Sequence, residues 1–386
     1  MIDSERLVKN FCAYARTDSE SFDEGAMEER LVADLKALGC EVRTDDAGAK
    51  TGSTGNNIYA FYKGTLPGEP LIYSCHMDTV APGKGVAPVV KDGVISSGGD
   101  TILAADDKAG IAGIVEALTV VREKGLPCHD FEIVVTIGEE QGLLGAKNFD
   151  FSQVKGKEAV VLDGAGDVGT IVPNAPGQIK LHAVVTGRSA HAGLAPEKGI
   201  SAIQAAARGV AAMNLLRVDG ETTCNIGTFK SESATNIVPA KAEIIAEVRS
   251  RNLDKLNAQA AHMRDCLRKA CDELGATLDC ELKTTYVSFA CPDDHPLMKR
   301  LRAACEAIGC PVRRVDGGGG SDANVMALSG ITPVVLGTGM TDVHTVNETI
   351  TVKNLTPVFS PQELEKHNRE IERRLFDVFR KYAGRG

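Results

Sequence analysis

Apolar residues recur at helical spacing over residues 4–14 and again over 24–38, and Gly39 stands where the second helix should stop. The pattern then changes. Residues 57–62 and 70–75 read as strands, and residues 108–122 return to a helical period with small side chains on a face that can press on a sheet. The run Phe131-Glu-Ile-Val-Val-Thr-Ile137 is apolar almost throughout, as a strand covered on both faces should be, and residues 159–162 repeat that character. Helices alternating with apolar strands predict an α/β fold, with a mixed sheet between helices.

The middle of the chain has another rhythm. Residues 178–185 alternate like a half-exposed strand, 200–215 form an Ala-rich helix, 224–230 and 241–251 are strands, 253–274 is a long amphipathic helix, and 277–287 closes the set. This β-α-β-β-α-β order predicts a ferredoxin-like α+β domain whose ends return to one place. It is expected as an insertion, residues 176–290, into a first domain made of 1–175 and 291–386. The α/β pattern resumes with helices at 296–308, 322–328 and 362–382, and with strands near Pro311 and at 332–336. The Gly317–Gly320 run lacks the Lys-Ser/Thr ending of a P-loop and reads as a close-approach loop.

At 386 residues the chain is long for one core, which agrees with two domains. Trp is absent and aromatics make up 4%, so aliphatic side chains must carry the core. A net charge of −9 and the lack of a basic tract with interleaved aromatics argue against nucleic acid as a partner. No apolar stretch approaches the ~20 residues of a membrane span, and the N-terminus does not read as a secretory signal. The 11 cysteines, an odd number without a CxxC pair, suit reduced thiols in a cytoplasm. Cys75 is a possible ligand beside His76, but alternation along a strand turns it to the opposite face.

Five short motifs carry the chemistry: Cys-His76-Met-Asp78-Thr, Ala-Ala-Asp106-Asp107-Lys-Ala-Gly, Gly-Glu139-Glu140-Gln-Gly, Leu-Asp163-Gly and Asp-Val-His344-Thr-Val. Each has a plain reading when taken alone. Asp106 and Asp107 can cap a helix, Asp163-Gly can be a turn, and Glu139, Glu140 and the histidines can be solvated loop residues. Together they form a coherent donor set, because four of them directly follow predicted strands, where sites gather in an α/β sheet. Imidazole and carboxylate suit Zn²⁺, Co²⁺ or Mn²⁺, and two such ions ~3.5–4 Å apart can polarise a carbonyl and activate water. His76, Asp106 and Asp163 can hold one ion and Asp106, Glu140 and His344 the other. In the Glu139–Glu140 pair, one carboxylate can bind while its neighbour serves as general base.

With these motifs, Gly-Gly-Gly320-Ser-Asp322 and a nearby Glu348, the chain resembles the M20 family of dinuclear zinc peptidases over almost its whole length. It is most similar to the peptidase T-like, tripeptide aminopeptidase branch, for which Ala-Asp106-Asp107-Lys108-Ala-Gly110-Ile is the most telling string. The resemblance implies His76 and Asp163 on one zinc, Glu140 and His344 on the other, Asp106 as bridge, and a cis Asp106–Asp107 peptide. It implies Asp78 as the group orienting His76 and Glu139 as general base. In the inserted lid and dimerisation domain it implies substrate-binding roles for His191, Asn236 and Arg249. The expected activity is release of the N-terminal residue of a short peptide by a cytoplasmic homodimer paired through the inserted domain. An N-acyl amino acid amidohydrolase or a carboxypeptidase is the alternative. Two departures, Asp163-Gly-Ala-Gly and the residues around His344, bear on the tripeptide preference.

Overall fold

The structure is a computed structural model that describes residues 2–356; the helix expected at 362–382 lies outside them. The described chain divides into two compact units. One takes the chain up to Asn174, then Ala290–Gly317 and the residues from Ser321 on; the other takes Ala175–Phe289 with Gly318–Gly320.

The first unit is built on an eight-stranded mixed sheet. Its order is Glu41–Thr44, Ile58–Tyr62, Phe131–Thr136, Leu71–His76, Glu158–Gly164, Thr332–Gly337, Thr170–Val172 and Arg313–Arg314. The four central strands, from Phe131–Thr136 to Thr332–Gly337, run parallel. Phe131–Thr136 is buried along nearly its whole length, which is why its sequence shows no alternation. The helix Ala105–Lys124 lies on Leu71–His76 and Glu158–Gly164, and Asp322–Leu328 lies on Thr332–Gly337. The close approach has a local cause: a Cβ on Gly110 would sit 2.8 Å from the Leu162 carbonyl oxygen. Helical backbone begins only after Asp107, because Asp106 (ψ 105°) and Asp107 (φ −118°, ψ 31°) are non-helical. Cys75 is buried in the core cluster, and all 11 cysteines are free thiols.

A small four-stranded antiparallel sheet was not expected from the sequence. It pairs Met340–Thr341, Thr349–Thr351, Val94–Ser97 and Pro88–Lys91 in that order.

The second unit is a five-stranded antiparallel sheet ordered Leu216–Arg217, Thr222–Lys230, Lys241–Ser250, Gly177–Thr186 and Thr277–Tyr286. The four long strands follow the ferredoxin-like connection, with Leu216–Arg217 as an added edge. In Gly177–Thr186 the residues Ile179, Leu181, Ala183 and Val185 face inward while Lys180 and His182 do not. They meet Leu256, Ala260, Met263, Leu267 and Cys271 of the helix Leu253–Leu274, a helical stripe at i, i+4, i+7, i+11 and i+15. The Ala-rich helix Ala202–Ala211 packs closely on that helix, since a Cβ on Gly209 would lie 2.7 Å from Leu267 Cδ2.

Candidate metal centre

Parallel neighbouring strands end at one edge of their sheet, and in this fold that edge gathers the side chains named above. His76 is the last residue of Leu71–His76. Glu139 and Glu140 follow Phe131–Thr136, and Asp163 closes on the end of Glu158–Gly164. The chain leaving Thr332–Gly337 reaches His344 in the loop before Thr349–Thr351.

The five candidate ligands form one connected series. His76 Nε2 lies 3.1 Å from Asp106 Oδ1 and 3.8 Å from Asp163 Oδ1. His344 Nε2 lies 3.2 Å from Asp106 Oδ2 and 2.8 Å from Glu140 Oε1. Asp106 therefore turns one carboxylate oxygen toward each histidine. Donor atoms of His76, Asp106 and Glu140 fall within 4.8 Å of one another, as do those of His76, Asp107 and Asp163. Both aspartates thus come near His76, Asp106 together with Glu140 and Asp107 together with Asp163, and Asp106 faces both histidines. Asp107 Oδ2 accepts the His76 main-chain N–H at 3.3 Å, while its Oδ1 is buried without a hydrogen-bond partner. The Asp106–Asp107 peptide is cis. Imidazole nitrogens and carboxylate oxygens at these separations, with one buried acceptor unsatisfied, fit divalent cations of the zinc type.

Asp78 lies beside His76 and does more than pair with it. His76 Nδ1 is 3.0 Å from the Asp78 main-chain oxygen and 3.4 Å from its carboxylate. The nearer acceptor for Nδ1 is a carbonyl, so the ring is held there and Nε2 is the nitrogen turned toward Asp106 and Asp163. The Asp78 carboxylate also accepts the N–H groups of Glu139 (2.9 Å) and Glu140 (3.2 Å) and the Ser21 hydroxyl (2.8 Å). Two residues the sequence reading passed over complete this cradle. Asn57 Oδ1 accepts from Ile137 N–H and Glu24 Oε1 from Gly138 N–H, so four successive amides end on side-chain oxygens.

Burial and mutual charge set the electrostatics. Burial pushes the Glu139 carboxyl well above its ordinary range, and Asp163 adds to this while His76 opposes it. Burial would also raise Asp106, but His344 and His76 hold it below the usual carboxylate range. Burial opposes protonation of His76, yet Asp106, Asp163 and Asp78 raise it. Asp106 and Glu140 raise His344 to about 10. Lys108, fully buried, is pushed down to about 7, and its Nζ donates to the Thr17 carbonyl at 2.7 Å.

In the second unit, His191 is exposed and its Nδ1 accepts the N–H groups of Gly193 and Leu194, both at 3.2 Å. The Ala192 N–H donates to the Asn236 carbonyl at 2.9 Å, so the turns bearing His191 and Asn236 are joined. Arg249 lies on an interior strand and forks onto Glu247 at 2.9 and 3.2 Å.

Comparison with known proteins agrees with this architecture. The peptidase dimerisation domain of the M20 family matches residues 175–274, and peptidase family M28 matches residues 57–175. The chain is 43% identical to the aminopeptidase PepT of Bacillus cereus, covering 92% of this chain and 96% of that one, with a TM-score of 0.89. A tripeptidase from Staphylococcus aureus is 36% identical over 93% of this chain and 96% of its own, with a TM-score of 0.91. The chain belongs to the M20 peptidase family, in its peptidase T-like branch. A Bacillus subtilis relative of this M20 peptidase, described as uncharacterized protein YqjE, is 39% identical over 92% of this chain and 96% of its own length. The two family matches meet at residue 175, where the two structural units also divide. Among the described residues of this M20 peptidase, no helix is long and apolar enough to cross a membrane.

Proposed function

We propose that this M20 peptidase is a two-cation exopeptidase that releases the N-terminal residue of short peptides, tripeptides foremost. The observation that carries the reading is Asp106, whose two carboxylate oxygens face His76 and His344 separately. His76, Asp106 and Asp163 would hold one divalent cation and Asp106, Glu140 and His344 the other, zinc being the first choice and cobalt or manganese also compatible with the mixed nitrogen and oxygen donors. When bound, such a pair polarises a carbonyl and lowers the pKa of water.

Within that frame the Glu139 carboxylate takes the proton of the attacking water and returns it to the departing nitrogen. A carboxylate beside the ligand Glu140 is placed to serve both steps. Asp78 fixes the Glu139 and Glu140 amides and so holds the base beside its neighbouring ligand. His191, Asn236 and Arg249 are proposed to bind substrate polar atoms, with His191 on the oxyanion and Arg249 suited to a carboxylate. The match to a dimerisation domain supports a homodimer formed through the second unit, and the free thiols support a cytoplasmic setting.

The test is a parallel assay of di- and tripeptides with free and blocked amino termini, and of N-acyl amino acids, with and without a chelator. Chelator-sensitive cleavage of free tripeptides is expected. Cleavage of N-acyl amino acids alone would replace the reading with an amidohydrolase, and removal of the C-terminal residue would replace it with a carboxypeptidase. Glu139→Gln is expected to keep its metal and lose at least about 100-fold in kcat. Asp106→Ala is expected to lose metal on elemental analysis.

A further inference from the structure

We infer that Glu348 is a positioning residue that locks the loop presenting Asp106 to the loop presenting His344, and so sets the spacing of the ligands on either side of Asp106. The inference rests on the two-cation reading above. Glu348 is fully buried, with 1% of its surface exposed. Its Oε2 accepts the N–H groups of Leu103 and Ala104, both at 2.8 Å, and its Oε1 accepts that of Asp106 at 2.9 Å. Three donors from the turn before the helix Ala105–Lys124 thus converge on one carboxylate that lies 242 residues further along the chain from Asp106.

The turn needs such a template. Ala104 has φ +64°, a left-handed conformation unfavourable for a residue with a Cβ, and its own N–H is one of the three held. Glu348 also closes the loop that carries His344. Met340–Thr341 pairs with Thr349–Thr351, and the intervening loop is tightened by Glu348 N–H to Thr345 O (3.1 Å) and Thr345 Oγ1 to Asp342 O (2.7 Å). Thr349–Thr351 pairs in turn with Val94–Ser97, from which the chain runs on to Asp106. Both ligand loops therefore leave from one small sheet and meet again at one carboxylate.

A carboxylate alone satisfies this geometry. Both oxygens are occupied by N–H donors, so a glutamine must turn its own NH₂ against at least one of them. Glu132 supplies the control. It is equally buried and accepts from Tyr59 Oη (2.7 Å), Lys155 N (2.9 Å) and Gly156 N (2.6 Å), but it stands near the start of Phe131–Thr136, away from the end that leads to Glu139.

The experiment is cobalt titration by calorimetry into the metal-free full-length protein, with its melting temperature and with kcat and KM on a tripeptide. Glu348→Gln is expected to weaken cation binding about 10–100-fold, the usual effect of removing a partner that orients a ligand, and to lower kcat with KM within about twofold. Glu348→Asp, which keeps the charge, is expected to fall between Glu348→Gln and wild type, and carries the test if the glutamine variant does not fold. Glu132→Gln is expected to lower the melting temperature and leave cation affinity unchanged. Wild-type affinity in both Glu348 variants, or equal weakening in Glu132→Gln, overturns the positioning role. A wild-type protein that takes up no cation overturns the two-cation reading itself, and this role with it.

Discussion

Asp322 opens the helix Asp322–Leu328 with one carboxylate oxygen held by the Thr136 hydroxyl and the other, Oδ1, buried without a partner. Burial raises its pKa from 3.8 to about 6. Between those values the folded protein keeps a proton that the unfolded chain has released, so stability falls as pH rises through the window. Asp322→Asn removes this dependence. In the metal-free protein the variant is expected to gain on wild type by roughly 3 kcal/mol at most between pH 4 and 7. Urea unfolding at the two pH values checks it; a constant difference between the proteins would refute the cause assigned. The ligand candidates were legible at this scale because each sits in a short motif, most of them after an apolar run. Asn57, Glu24 and Glu348 were not read as braces, since a carboxylate that caps amides 114 or 242 residues away leaves no local mark.

Elements were legible in proportion to their length. The helix Leu253–Leu274 shows its whole apolar stripe, and Asn252 and Gly275 flank it as caps. Met340–Thr341 and Leu216–Arg217, at two residues each, are too short to display any period. The hairpin of Pro88–Lys91 and Val94–Ser97 carries an Asp92-Gly93 turn, but its four-residue strands alternate too briefly to stand out. Helix contacts yield a paired prediction. Gly110→Ala puts a Cβ 2.7 Å from Asp107 Oδ1 and 2.8 Å from Leu162 O, while Gly209→Ala meets Leu267 Cδ2 at 2.7 Å. Each is expected to cost about 1–3 kcal/mol by overpacking. Only Gly110→Ala should also weaken metal binding, because its helix follows Asp106. Denaturant unfolding and a metal titration on both variants separate the two effects.

At the level of the molecule, every candidate ligand belongs to the first unit and none to the second. Ligand binding stabilises the folded unit that contains the site, by about 2.7 kcal/mol at a free concentration 100 times the dissociation constant. Chelation is therefore expected to speed hydrogen exchange in the helix Ala105–Lys124 and to leave Leu253–Leu274 unaffected. Equal acceleration in both would contradict a stabilisation confined to the first unit. The two-unit plan was visible in the sequence as a change from apolar runs to alternating strands. The glycines Gly318–Gly320, which join the second unit from a distant stretch of chain, were beyond that signal.

The order of the chain adds a consequence for biosynthesis. His76, Asp106, Glu140 and Asp163 leave the ribosome before the Ala175–Phe289 unit, and His344 leaves after it. A nascent or prematurely terminated polypeptide would hold four of the five donors and lack the one that completes the second cation's set. Completion of the proposed ligand set therefore waits for the stretch of chain that follows the Ala175–Phe289 unit.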